Sequence, residues 1–130
     1  MKFQEIKHVM LIDDDKVCNL MSKRILSKMF NNPDFSIFTD ASHALEHLRK
    51  RLTSNEFPDI LLIDINMPRM DGWKFLDEFE NFPDEVLSKC NVFVVSSSIS
   101  IHDIAKSKTY KTVRKYITKP LTADKIDNDD

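Results

Sequence analysis

The chain has 130 residues, 42% of them hydrophobic, and a net charge of −2, which is enough chain for one domain with a sizeable core. This charge balance gives no basis for electrostatic nucleic-acid binding, which requires a basic stripe. No segment approaches the roughly 20 apolar residues of a membrane span, and the amino-terminal residues lack an apolar stretch of signal-peptide length. Cys18 and Cys90 show no metal or disulfide spacing, which is typical of reduced thiols in the cytoplasm. We therefore predict one cytoplasmic domain over residues 1–130, without a nucleic-acid or membrane partner.

Five apolar runs of strand length alternate with helical patterns along the chain. The runs at 9–12, 60–63 and 92–95 contain no polar residue, which indicates strands buried on both faces of a parallel sheet. The runs at 35–38 and 115–118 alternate partly, as outer strands do. This order of strands and helices predicts an α/β fold, a doubly wound five-stranded parallel sheet with right-handed crossovers.

Four helical patterns follow the first four strands. The first covers 16–30, where Asp15 is placed to cap the helix. Its apolar stripe consists of Val17, Leu20, Met21, Ile25 and Met29. The second begins after a candidate cap at Asp40, the third ends before Pro83, and a weaker fourth covers roughly 101–108.

Polar residues follow four of the predicted strands at the point where each strand ends. They are Asp13 and Asp14, then Asp64, Ser96 and Lys119. Because ligands of an open parallel sheet bind at the carboxyl ends of its strands, we expect these side chains to converge. Three carboxylates, one hydroxyl and one lysine suit a divalent metal ion together with a phosphoryl group.

The only glycine of the chain, Gly72, ends a stretch that begins at Asp64 and contains Met67 and Pro68. Glycine adopts backbone angles that are closed to other residues, and proline fixes its own φ. The stretch therefore predicts a shaped loop around Asp64, with an ordinary strand-to-helix turn as the alternative.

These motifs together resemble the receiver domains of two-component response regulators, the CheY-like family. The matching segments, in chain order, are LIDD at 11–14, DILLIDINMPRMDG at 59–72, VVSS at 94–97 and YITKP at 116–120. The resemblance implies a flavodoxin-like, CheY-like (βα)5 fold, here with a short or missing last helix. It also implies an aspartate that receives a phosphoryl group from a sensor histidine kinase or a histidine phosphotransfer protein.

The resemblance assigns a role to each residue of the group. It makes Asp64 the phosphoacceptor, with Ser96 and Lys119 contacting the phosphoryl group, and the peptide between Lys119 and Pro120 is cis in the family. Magnesium, which prefers hard oxygen ligands, is the implied cofactor. Its implied ligands are Asp13, Asp14, Asp64 and the main-chain carbonyl of Asn66.

Three further positions follow from the resemblance. Tyr116 matches an aromatic switch whose ring moves when Ser96 shifts, with a half-buried strand tyrosine as the alternative. Asn66 and Ser98 match positions that tune the lifetime of the phosphoryl group. Because 96–98 are all serines, the hydroxyl that contacts the phosphoryl group could lie one residue away from Ser96.

His43 and His47 lie four residues apart on the second predicted helix and could share one face. Two such ligands without a third are a weak metal signal. We expect solvated helix histidines at both positions.

We therefore predict a single receiver domain that acts as a phosphorylation-controlled switch or phosphorelay intermediate. It would catalyse its own phosphotransfer and autodephosphorylation without being a conventional enzyme, and its output would pass through an unidentified downstream protein. Residues 121–127 offer barely two turns for a last helix, so we expect a monomer. We expect the acidic end at 127–130 to be disordered.

Two alternatives come from other classes. A magnesium-dependent phosphohydrolase of the haloacid-dehalogenase type also uses an aspartate nucleophile, but it needs an acid/base aspartate two residues later, where this chain has Asn66. A flavodoxin-like binding module without phosphotransfer would need a flavin-phosphate loop rich in Ser, Thr and Gly, which the sequence does not offer.

Overall fold

The computed structural model describes residues 5–127 and contains a five-stranded, wholly parallel sheet in the order β2-β1-β3-β4-β5. The strands are β1 His8–Ile12, β2 Asp34–Phe38, β3 Ile60–Ile63, β4 Asn91–Ser96 and β5 Val113–Thr118. The predicted doubly wound α/β sheet is confirmed. The two runs that alternate in sequence form its outer strands, β2 and β5, and the three continuous apolar runs form its centre.

The helices are α1 Lys16–Met29, α2 Ala41–Arg49, α3 Gly72–Phe79, α4 Asp84–Leu87, α5 Ile101–Ser107 and α6 Ala123–Asp127. Four of them lie where the helical patterns predicted, and α6 is the expected short last helix. The four-residue α4 was not predicted, because one turn is too short to show a period. Asp127, which we expected to begin a disordered acidic tail, is instead the last residue of α6. The rest of the expected tail, 128–130, lies outside the described residues. In the part of the chain that the structure describes, no helix has the length and apolar character of a membrane span.

Aspartate side chains cap the first two helices, as predicted. The Asp15 carboxylate accepts hydrogen bonds from the main-chain N–H groups of Val17 at 2.9 Å and Cys18 at 3.3 Å. These bonds favour the ionised form, so they hold the pKa of Asp15 below its usual value. Asp40 caps α2 in the same way. Each cap satisfies N–H groups that the first helical turn leaves without a partner.

Two clusters of buried apolar side chains lie on opposite faces of the sheet. The first contains Met10 and Ile12 together with side chains of α2 and α3, and the second contains Val9 and Leu11 together with Leu26 of α1 and Ile126 of α6. Successive residues of β1 therefore alternate between two cores. This double burial explains why the run at 9–12 shows no polar alternation in sequence.

The apolar stripe of α1 lies on a helix as predicted, but its first half does not face the core. Val17, Leu20 and Met21 are 63%, 52% and 51% exposed, whereas Leu26 is fully buried. The inward-facing position in the first half is instead Asn19, which is buried and polar. Periodicity shows that apolar residues share a helix face, but it does not show what that face contacts.

Position 72 requires glycine because there is no room for a side chain, and not because of unusual backbone angles. The reason expected from the sequence was therefore wrong. No glycine has a positive φ, and the left-handed residue of this loop is Arg69, with φ 66°. A Cβ atom on Gly72 would lie 2.6 Å from the Ile65 Cα and 2.7 Å from the Asp64 carbonyl oxygen. The main chain at Asp64 therefore packs directly against the start of α3.

We expect Gly72→Ala to destabilise the protein by about 1–3 kcal/mol, because the added methyl group meets main-chain atoms that cannot move independently of Asp64. Urea unfolding followed by circular dichroism measures this change. Lys74→Ala, at an exposed position of the same helix, is the control and should stay within about 0.5 kcal/mol of the wild type. Equal stability of Gly72→Ala and the wild type would contradict the close approach.

Candidate phosphoacceptor and metal site

Four strand ends bring the predicted polar residues to the carboxyl edge of the sheet. Carboxylate oxygens of Asp13, Asp14 and Asp64 lie within 4.8 Å of one another. The Lys119 ammonium donates to Asp13 Oδ2 at 2.8 Å and to Asp64 Oδ2 at 3.4 Å. Ser96 ends β4 at the same edge and is fully buried. The structure thus places all five predicted residues together.

The Asp13 carboxylate is held in place from two sides. Its Oδ1 accepts from the main-chain N–H of Asp15 at 2.9 Å, while its Oδ2 accepts from Lys119. Its main-chain carbonyl accepts from the Asn19 amide at 2.9 Å, which ties the end of β1 to α1. Asn19 was missed in the sequence, because it lies outside the apolar stripe of α1 and no local pattern marked its position as buried. Asp14, in contrast, is exposed.

Asp64 is 7% exposed and is fixed at both its main chain and its side chain. Its N–H donates to the Ile12 carbonyl at 3.0 Å, and its Oδ1 accepts from the Asn66 N–H at 3.1 Å. Burial raises the pKa of the Asp64 carboxyl, and the Asn66 hydrogen bond and the Lys119 charge oppose that rise. The arrangement presents a partly desolvated carboxylate, with positive charge at Oδ2.

Lys119 connects β5 to the site. Its main-chain N–H donates to the Ser96 carbonyl at 2.9 Å, and its peptide bond to Pro120 is cis, as the family resemblance implied. Burial by itself would lower the pKa of the Lys119 ammonium. The hydrogen bond to Asp13 and the negative charge of Asp64 outweigh burial and hold that pKa above the usual lysine value. Lys119 is therefore a permanent positive charge in the site at neutral pH.

The hydroxyl of Ser96, rather than that of Ser97, belongs to the site. Ser96 is buried, and its Oγ accepts from the Ser98 N–H at 3.1 Å and from the Asn66 amide at 3.5 Å. Ser97 is exposed. Ser96 is thus the serine that contacts Asn66 at the carboxyl edge, and its role toward a phosphoryl group stays a prediction.

Tyr116 is a half-buried residue of β5 whose hydroxyl donates to the Ser98 carbonyl at 2.8 Å. Its ring packs against the first core cluster. The contact joins β5 to the loop after β4, which is the connection that a switch tyrosine requires. A structural strand tyrosine would also be half-buried, so its switching role stays a prediction.

A cavity of about 280 Å³ opens beside the carboxylates, between α1 and the connection from β5 to α6. Asp13, Asp64 and Lys119 form its polar end, and apolar side chains such as Met21 and Leu62 form its walls. Asp64 therefore borders an open cavity, although most of that residue is buried.

The two helix histidines are not part of a metal site in the described residues. Among the described residues, one group of carboxylate, imidazole or thiol side chains lies close enough together to hold an ion. Its members are Asp13, Asp14 and Asp64. His43 is exposed, as expected. His47 is half-buried against Phe38, with ring centroids 5.0 Å apart, so the expectation of a solvated histidine was wrong there. Burial lowers the pKa of His47.

The three-carboxylate group fits a hard divalent cation. Magnesium, manganese and calcium prefer oxygen ligands, and carboxylates are the commonest that proteins supply. The oxygens converge here because β1 and β3 are neighbours in the sheet. The donor set therefore matches the acidic metal site typical of receiver domains.

Comparison with known proteins identifies the family. Residues 9–129 match the response regulator receiver domain. The structure is similar to that of a two-component response regulator from Cytophaga hutchinsonii, with a TM-score of 0.86 and 32% identity over 95% of this chain and 93% of that one. The response regulator Rcp1 from Synechocystis is 26% identical over 87% of this chain and 76% of its own length. The structure of its Mn²⁺-bound form has a TM-score of 0.74, covering 90% of this chain and 83% of that one.

Some relatives are much longer than the matched region. A protein-glutamate methylesterase from Bradyrhizobium diazoefficiens is 34% identical over 56% of this chain, which corresponds to 19% of that protein. The similarity to such proteins therefore concerns the receiver unit. The buried aspartate, the acidic pocket and the sheet order agree with the family match, and the chain belongs to the response regulator receiver family, CheY-like signalling phosphoacceptors of two-component systems rather than conventional enzymes.

Proposed function

We propose that this chain is a phosphorylation-controlled signalling switch in which Asp64 accepts a phosphoryl group in a magnesium-dependent reaction. The observation that carries the proposal is the position of the Asp64 carboxylate. It lies 3.4 Å from the Lys119 ammonium and shares a 4.8 Å cluster with Asp13 and Asp14. Positive charge on one side and a cation site on the other are the surroundings that phosphoryl transfer to a carboxylate requires.

The chemistry follows from these positions. An Asp64 carboxylate oxygen attacks the phosphorus atom, a new O–P bond forms, and the bond from phosphorus to the leaving group breaks, with its electron pair departing on that group. The Lys119 ammonium then pairs with a phosphoryl oxygen as well as with Asp13. The Ser96 hydroxyl accepts two hydrogen bonds through its oxygen, so its proton can be donated to another phosphoryl oxygen.

Asp13, Asp14 and Asp64, with the main-chain carbonyl of Asn66, are the ligands we propose for Mg²⁺. When bound, the ion neutralises negative charge on the phosphoryl oxygens. The Mn²⁺-bound form of the relative Rcp1 supports a divalent cation at this site. Asn66 is exposed, so its side chain can tune access of water to the phosphoryl group.

Membership in the receiver family implies a histidine kinase as partner, and we propose that a sensor kinase or a histidine phosphotransfer protein docks beside α1. The exposed side chains of Val17, Leu20 and Met21 lie next to the acidic turn that carries Asp14, and they provide an apolar surface for a partner helix. Such a surface is unusual for a helix that packs on a sheet. Its place beside the phosphoacceptor is what supports this assignment.

We further propose a single receiver domain over residues 1–130 that works in the cytoplasm as a monomer and signals to a downstream protein. The two cysteines are free thiols, and the buried Cys90 has a pKa raised by desolvation, which is typical of an unreactive packed thiol. A phosphohydrolase is not retained, because the Asn66 amide cannot act as the required acid/base and the family consists of phosphoacceptors.

Acetyl phosphate with Mg²⁺ should add one phosphoryl group to the wild type and none to Asp64→Asn, because the amide is not a nucleophile. Intact-protein mass spectrometry measures the adduct. Asp34→Asn, at the exposed first residue of β2 and thus at the amino edge of the sheet, is the matched control and should be modified like the wild type. An undiminished adduct in Asp64→Asn would show that another residue is the acceptor.

Asp14→Ala should weaken Mg²⁺ binding by about tenfold or more, because it removes a proposed direct ligand. Asp15→Ala should have a smaller effect, since the Asp15 carboxylate is occupied as the cap of α1. Calorimetric titration of both variants gives the comparison. Loss of binding in Asp15→Ala together with normal binding in Asp14→Ala would reverse the assignment of the acidic turn.

Beryllofluoride, which mimics an aspartyl phosphate, should leave the protein a monomer in sedimentation velocity with Mg²⁺. The reason is that α6 has only five residues and offers little surface to a second copy. A concentration-dependent dimer that appears only with beryllofluoride would contradict this expectation.

A further inference from the structure

Ser98 lies in the loop between β4 and α5 and bonds to three different parts of the molecule. Its N–H donates to Ser96 Oγ at 3.1 Å, at the end of β4. Its hydroxyl donates to Asp103 Oδ2 at 2.6 Å and accepts from the Ser100 N–H at 3.2 Å, at the start of α5. Its carbonyl accepts from the Tyr116 hydroxyl on β5 at 2.8 Å. One residue therefore joins the phosphoacceptor site, α5 and β5 through separate atoms.

Helix α5 lies against β5 but contributes few buried side chains to the packing of the molecule. Ile101 is 82% exposed, and Ser107 is the one buried residue among the seven of this helix. Within residues 5–127, neither apolar cluster includes a side chain of α5. The residue before the helix, Ser100, makes no capping hydrogen bond with its side chain. Elements with so few buried contacts open and shift easily, so the position of α5 depends on polar links.

The strongest of these links at the start of the helix runs through Ser98. Asp103 lies in the first turn of α5, and its carboxylate is bonded by the Ser98 hydroxyl instead of by a residue of the helix. A hydrogen bond to a charged acceptor is stronger than one between neutral groups. At the other end of α5 the Lys106 ammonium lies 5.1 Å from the centre of the Trp73 ring, an exposed contact that does not restrain the first turn.

The coupling begins with a movement of the Ser96 hydroxyl that displaces Ser98. This step rests on the proposed function, in which Asp64 carries a phosphoryl group. When the Ser96 hydroxyl turns toward a phosphoryl group on Asp64, its oxygen moves away from the Ser98 N–H. A partly buried N–H left without an acceptor costs free energy, so the loop is expected to follow. The hydroxyl of Ser98 then moves the carboxylate of Asp103, and with it the first turn of α5.

We propose that Ser98 is the positioning residue that couples the phosphoacceptor site to α5, through the hydrogen bond between its hydroxyl and Asp103. The coupling to Tyr116 uses the main-chain carbonyl of Ser98 and is a separate branch. Because the two branches leave from different atoms, a side-chain substitution separates them. Ser98→Ala removes the branch to α5 and keeps the branches to Ser96 and Tyr116.

The test compares amide NMR shifts with and without beryllofluoride and Mg²⁺. In the wild type we expect shifts around Asp64, around Tyr116 and through α5. In Ser98→Ala the shifts of α5 should fall about twofold or more, while those around Asp64 and Tyr116 persist. Ser97→Ala changes an exposed neighbour in the same loop and should behave as the wild type.

A second pair of variants tests the other end of the bond. Asp103→Ala should reproduce the loss in α5, whereas Asp103→Asn keeps an acceptor oxygen of the same shape and should retain most of the response. The double variant with Ser98→Ala and Asp103→Ala should lose no more than either single variant, because both remove one interaction. Ser98→Thr restores a hydroxyl and should restore the response of α5.

The outcomes separate this inference from the proposed function. Full shifts of α5 in Ser98→Ala would overturn the coupling role of Ser98 and leave phosphorylation of Asp64 intact. Loss of shifts around Asp64 in Ser98→Ala would also overturn it, since Ser98 would then be part of the phosphoacceptor site. A wild type without shifts around Asp64 would overturn the proposed function and the inference together.

Discussion

The Lys119 ammonium, placed between the carboxylates of Asp13 and Asp64, is the interaction on which the rest of the site depends. Two nearly buried carboxylates at one sheet edge repel each other and lose hydration, so a nearby cation is needed to offset the cost of placing them together. Lys119 supplies that charge at 2.8 Å from Asp13 and 3.4 Å from Asp64. The contacts that hold β5 against β4, including the bond from the Lys119 N–H to Ser96, keep the ammonium in position. In the proposed function the same charge would pair with a phosphoryl oxygen as it pairs here with two carboxylates.

The sheet order determines which residues share this environment. Strand β1 lies between β2 and β3, so the chain reverses its direction of winding beside β1. Such a reversal opens a crevice at the carboxyl ends of the adjacent strands, and Asp13 and Asp64 follow those two strands. Gly72 completes the arrangement, because the start of α3 approaches the main chain of Asp64 more closely than a side chain would allow. Asp64 is thereby supported by β1, by its own loop and by α3.

Rigid and loosely held elements have different places around the site. The apolar residues of the three central strands and Leu26 of α1 are buried, whereas the first half of α1 and the first residue of α5, Ile101, expose apolar side chains. Exposed apolar residues beside a buried reactive group suit contacts that form and dissociate with other proteins. A core that does not move and two surfaces that can respond are the physical requirements of a switch. The hydrogen bonds of Ser98 and Tyr116 join β4 and β5 to the start of α5.

The amino-acid sequence by itself determined the alternation of strands and helices, the caps at Asp15 and Asp40, and the polar residues at the strand ends. These features are local: burial on both faces, capping chemistry and strand-end position all leave a pattern within a few residues. Only the tertiary structure decided that Val17, Leu20 and Met21 face solvent, that Asn19 anchors Asp13, that Gly72 serves close packing, and that Ser96 rather than Ser97 enters the site. It also showed the short α4 and the burial of His47. Each of these depends on which element lies opposite a residue, and that is set by packing between segments far apart in the chain, which no local pattern records.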